Sequence, residues 1–163
     1  MSEVFVGLEG FTLPSGYICK ALTIIYPNTE YSQFILEKPK NIMLTEQDER
    51  TVRYATSNLH SLQFSDGDVP YDQLDVIFRK LEGYTVYTYS NTAVKFILQF
   101  LPTTVVINTQ DFGHKLPTSL PESNCFRIHL NYRYCSKAKA IEVKHFCENA
   151  QTSSTTPPQC FGQ

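Results

Sequence analysis

Cys125, His129 and Cys135 place two thiols and an imidazole within eleven residues near the C-terminal end of the chain. Thiolate sulfur and imidazole nitrogen suit tetrahedral Zn²⁺, whereas the Mg²⁺ used to cut phosphodiesters takes carboxylate oxygens and water. The ligand types therefore point to a structural zinc ion rather than to a cleavage centre. A structural zinc usually takes four protein donors, so a fourth must come from elsewhere, and His145 or Cys147 could close the set locally. The plainer reading is three unrelated side chains, because cysteine is a common core residue and a Cys-x3-His spacing arises by chance.

A second constellation overlaps the first. Between Cys125 and His145 lie Arg127, Arg133, Lys137, Lys139 and Lys144 against one acid, Glu142, interleaved with Phe126, Tyr132 and Tyr134. Cations alternating with aromatic rings can hold phosphates and stack bases, so Arg127, Arg133, Lys137 and Lys139 are the candidate nucleic-acid contacts. A solvated helix face beside core aromatics is the plainer account. The molecule as a whole exerts no pull on a polyanion, since its formal net charge is −2.

Other catalytic patterns fail on context. Asp111-Phe112-Gly113 spells the metal-binding tripeptide of protein kinases, but no Gly-rich phosphate loop or His-Arg-Asp loop accompanies it. There is no Gly-x-Ser-x-Gly elbow and no cysteine in a recognisable nucleophile setting. Cys19 reads as core and Cys160, in the polar tail, as an unpaired thiol.

These residues need a scaffold, and 163 residues at 42% hydrophobic, with 10 Tyr and 11 Phe, can bury one sizeable core. One domain is expected over residues 1–150, with a disordered Ser/Thr/Pro tail over 151–163. Five cysteines would leave one over in a closed disulfide framework, and neither a signal peptide nor a membrane-length apolar run is legible. The expected setting is intracellular, cytoplasmic or nuclear, with thiols reduced.

Strands are expected at Val4–Leu8, Tyr17–Tyr26 and Tyr31–Leu36, joined by short turns as in an antiparallel meander. Thr45 followed by Asp48 starts a helix that ends near Asn58, and Tyr71–Leu81 carries one apolar face of a second. Tyr84–Tyr89 alternates as a strand, Asn91 caps a helix through Phe100, and Thr103–Asn108 is a further strand. Asp111–Leu120 reads as loop or broken helix, and Ser136 caps a final amphipathic helix to Ala150.

The resulting order, β-β-β-α-α-β-α-β-α, predicts an α/β fold: a mixed sheet of three antiparallel strands and two further strands, with helices packed on it. It resembles the RNase H-like fold of DEDD-type 3′ to 5′ exonucleases over residues 4–148. That family carries an Asp and a Glu two residues apart on its first strand, because paired divalent ions must clamp the scissile phosphate. Here the strand reads Gly7-Leu8-Glu9, and the helix from Asn91 to Leu98 has no acid. The Cys/His cluster is similar instead to the Maelstrom domain, a degenerate relative with a Glu-Cys-His-Cys zinc set, although the spacing differs. By that resemblance the fourth zinc ligand falls to His60, after the first helix, with Glu9 second.

The resemblance implies a catalytically inactive, zinc-stabilised module that binds RNA, single-stranded nucleic acid or a protein partner, with no membrane role. A structural protein of a virus or mobile element without nucleic-acid affinity is the second expectation. The third is a nuclease with atypical ligands among Glu9, Glu142, Asp111 and His145.

Overall fold

The computed structural model describes residues 2–118, 120 and 132–151 of the chain. Strands β1 (Glu3–Leu13), β2 (Gly16–Ile25) and β3 (Tyr31–Ile35) form an antiparallel meander. Then follow α1 (Glu46–Asn58), α2 (Leu74–Arg79), β4 (Thr85–Thr88), α3 (Asn91–Phe100), β5 (Val106–Asn108) and α4 (Ser136–Gln151). The sheet order is β3-β2-β1-β4-β5, with β4 parallel to β1 and β5 parallel to β4. Both the expected order of elements and the mixed sheet are therefore observed.

Alternation along β1 sorts its side chains between two layers. Val4, Val6 and Leu8 join Leu74, Phe78, Phe96 and Ile97 of α2 and α3 in the main core, whereas Phe5 joins Ala140, Val143 and Cys147 of α4. Because both faces are covered, β1 and β2 read as nearly continuous apolar runs rather than as a clean in-out alternation. β1 runs well past Leu8, through a register shift between Glu9 and Gly10 where Gly10 pairs with Cys19 and leaves Lys20 as the extra residue.

Lys20 is consequently a lysine with no exposed surface. Its ammonium donates to the carbonyls of Leu36 at 2.5 Å, Phe64 at 3.0 Å and Asp66. An ammonium has three donors, and three carbonyls meet them, tying the end of the meander to the 64–66 turn.

The start of α1 is set locally. Thr45 Oγ1 accepts from the Asp48 amide at 3.0 Å, and Asp48 Oδ2 accepts from the Thr45 amide at 3.1 Å, a reciprocal capping box. Ser15 Oγ also donates to Asp48 Oδ2, at 2.9 Å, so the β1–β2 turn is bonded to the helix start. α2 is shorter than expected because Tyr71–Gln73 forms a 3₁₀ turn after Pro70. α3 is capped by Ser90 rather than Asn91. Ser136 is the first helical residue of α4, and its hydroxyl lies 2.8 Å from Thr23 Oγ1 of β2, so it anchors the helix to the sheet. Among the described residues no helix is long and apolar enough to cross a membrane. Residues 152–163 of the expected tail lie outside the described residues.

Candidate functional site beneath α4

The segment Gly7-Leu8-Glu9 of β1 lies directly under α4. A Cβ built on Gly7 would stand 2.0 Å from the carbonyl oxygen of Ser136 and 2.8 Å from the amide nitrogen of Ala140. Both are backbone atoms of α4, so no side chain fits at Gly7 with the helix in this place. Two residues on, Glu9 Oε2 lies 2.6 Å from Lys139 Nζ, and Lys139 also reaches the Leu8 carbonyl at 3.3 Å. Glu9 is only 8% exposed, and Oε2 makes no well-aligned hydrogen bond, so charge attraction rather than directed bonding holds the contact.

The arrangement has a chemical consequence. A carboxylate that already faces an ammonium has its charge compensated, and the neighbouring position cannot supply a second acid, so paired divalent ions lack their clamp here. Below Glu9, burial first and the Glu9 charge second push the Cys19 thiol well above its ordinary range, which leaves it an inert core group. Burial raises the Tyr71 hydroxyl to about 12, with Cys19 adding to the shift. Glu142 of α4 is half-buried, whereas Asp111 and His145 are exposed. Among the described residues no three His, Cys, Asp or Glu side chains gather closely enough to hold a metal ion.

His60 is a core residue with its ring fully enclosed. Nδ1 accepts from the Leu62 amide at 3.0 Å, which requires a lone pair there and assigns the proton to Nε2, 3.0 Å from the Gly10 carbonyl. The ring also meets Phe11 edge-on, with centroids 4.8 Å apart. Both nitrogens being engaged, His60 does not fit as a zinc donor in this arrangement. Cys135 is fully buried with Leu120 and Ala138 at the start of α4, and Cys147 packs with Phe5, Ile25 and Tyr87. Cys125 and His129 lie outside the described residues.

No family model, no curated protein and no solved structure matches this chain.

The geometry gives the basic residues of the last segment internal roles. Arg133 donates to the carbonyls of Leu116 at 3.0 Å and Pro117 at 2.7 Å. Lys137 is 8% exposed, with its ammonium 4.3 Å from the centre of the Tyr31 ring and 3.2 Å from its hydroxyl. Lys139 holds Glu9, and Arg127 lies outside the described residues. Lys137 and Lys139 thus staple α4 to the sheet, Arg133 ties the segment before α4 to the 116–117 loop, and Lys144 pairs with Glu148 on its own helix. Lys20 belongs to no sequence motif, although a lysine between Cys19 and Ala21 in an apolar run signals that something must meet its charge. Lys38, Lys40 and Arg53 belong to no motif in the sequence that would single them out.

Proposed function

We propose that this chain is a catalytically silent RNase H-like module that binds RNA or single-stranded DNA, with a protein partner as the alternative occupant. The order β-β-β-α-α-β-α-β-α and the mixed sheet support the RNase H-like part. The observation that carries the silent part is the closure of β1 under α4: no room at Gly7, and Glu9 neutralised by Lys139. A nuclease of this kind needs several carboxylates around two ions, and the remaining acid is already compensated.

Incubation of end-labelled RNA and single-stranded DNA with Mg²⁺ or Mn²⁺ tests the silence. No cleavage is expected; cleavage that disappears in Glu9→Gln would overturn the reading. A zinc ion at Cys125, His129 and Cys135 belongs to the proposal as a cross-link that would stabilise the chain before α4, with its fourth donor other than His60. Stoichiometric zinc in protein purified without added metal is the expected result. Metal-free protein with Cys125 and Cys135 both open to alkylation would remove the zinc and leave the rest of the proposal standing.

A further inference from the structure

Away from α4, three cations meet at a recess that internal contacts do not fill. Two adjoining clefts, of about 330 and 340 Å³, share Lys38 and Ser65 as lining residues. The first also carries Lys40 and Glu37, and the second Arg53 of α1 and the ring of Phe64. Each cleft is of the size that holds a small organic group, and the shared residues make the pair one elongated groove between the 37–42 segment and α1. Lys38, Lys40 and Arg53 are all exposed, and among the described residues none of them meets a carboxylate. Arg50, Arg79 and Lys144, by contrast, each pair with an acid four residues away on their own helix. Among the described residues Glu37 is the one acid lining either cleft.

The groove is also held in shape. Lys20 binds the carbonyls of Leu36 and Phe64 at once, fixing the residue before Glu37 to one that lines the opposite wall. The Glu37 amide donates to the Val69 carbonyl at 2.8 Å, which secures the same wall from its outer side. Phe64 is half-buried and braced by Phe11, with ring centroids 5.4 Å apart, so it offers an aromatic surface that needs little ordering on binding.

We propose that single-stranded nucleic acid docks in this groove, with its backbone phosphates on Lys38, Lys40 and Arg53 and a base against Phe64. The inference rests on the binding half of the function proposed above and moves its surface from α4 to the 37–42 segment and α1. A track of cations beside an aromatic ring is what a flexible phosphodiester strand with unstacked bases requires. A duplex keeps its bases stacked inside and could use the cations but not the ring. An acidic peptide could do the same, and it has no base to place on Phe64.

Fluorescence anisotropy with labelled oligo(U) and oligo(dT) tests the assignment on the full chain. The triple substitution Lys38→Ser, Lys40→Ser and Arg53→Ser should weaken binding at least tenfold and flatten the dependence of log affinity on log salt by about 2, since each single-strand phosphate contact contributes about 0.7. Phe64→Leu should weaken binding while leaving the salt slope unchanged. A charge-matched control, Lys80→Ser, Lys95→Ser and Lys115→Ser, removes exposed cations that line neither cleft and should leave affinity within twofold. Thermal melts of all three variants identify any loss that comes from unfolding. Wild-type binding that survives the cleft substitutions would overturn this inference and leave the function standing. Absence of wild-type binding to either oligonucleotide, or preference for a poly-glutamate peptide or a duplex, would overturn the inference together with the nucleic-acid reading.

Discussion

Glu9 and Lys139 illustrate how one contact can close a site. The carboxylate and the ammonium approach to 2.6 Å with side-chain exposures of 10% and 20%, so neither is well solvated and each depends on the other. Removing one partner leaves an uncompensated charge beside Leu8 and Cys19, which costs more than the pair contributes when intact. Lys139→Met should therefore destabilise the protein by about 3 kcal/mol, the lower end of the range for breaking a buried pair. Adding Glu9→Gln to that variant should recover most of the loss, as urea denaturation of the four members of the cycle would report. Strictly additive losses would mean that the two side chains act independently. The partnership could not be read from the sequence, because 130 positions of chain separate the residues and only the packing of α4 on β1 joins them. Lys139 looked like one of a row of surface cations, and Glu9 like the end of a strand.

The elements that position this pair were legible to different degrees, for physical reasons. α1 declared its start, because a Thr/Asp capping box is a local device written in nearby residues, and it ends at Asn58 as expected. β4 declared itself by its aromatic and β-branched residues. β1 declared only its first part, Val4–Leu8; it runs on to Leu13 because pairing with β2 continues through a bulge at Gly10, where the Ile18 carbonyl comes close, while at Gly7 the α4 backbone presses in. β5 was expected to begin at Thr103, but only Val106–Asn108 pairs with β4. Gly7→Ala tests the close approach directly. Its methyl would meet Ser136 and Ala140 backbone atoms, which cannot rotate aside, so α4 must lift from the sheet. A loss of about 3 kcal/mol is expected, the upper end for overpacking a core. Amide exchange should accelerate along α4 more than along α2 or α3. An unchanged urea midpoint would show that the helix sits farther from β1 than described.

For the molecule as a whole, acid should loosen the fold in two stages, each with a named group. His114 is buried between the rings of Tyr89 and Phe146, with Nδ1 2.7 Å from Thr109 Oγ1, and burial lowers it from 6.5 to about 4. Between those values the unfolded chain takes up a proton that the folded chain refuses. This contribution to stability is therefore complete above about 6.5 and lost as the pH falls towards 4, by about 3 kcal/mol in all. Asp48 acts below that window. The Thr45 amide, opposed by burial and helped by Ser15, holds its carboxyl below the ordinary range, so its contribution is present above about 4 and disappears as the pH drops further. Glu3 works the other way, because burial raises it and the folded chain takes its proton first. Stability measured by urea denaturation from pH 7.5 to 3 should fall in the first window for the wild type. His114→Phe, whose ring can still stack on Phe146 and meet Tyr89 edge-on, should flatten that window and keep the drop below pH 4. An undiminished first drop in His114→Phe would place the acid sensitivity elsewhere in the core. The Asp48 stage acts at a different place, since it opens the start of α1, and α1 forms one wall of the groove assigned to nucleic acid. The two stages should thus separate in their effects: oligonucleotide affinity, compared at matched ionic strength on folded protein, should follow the lower transition more closely than the upper.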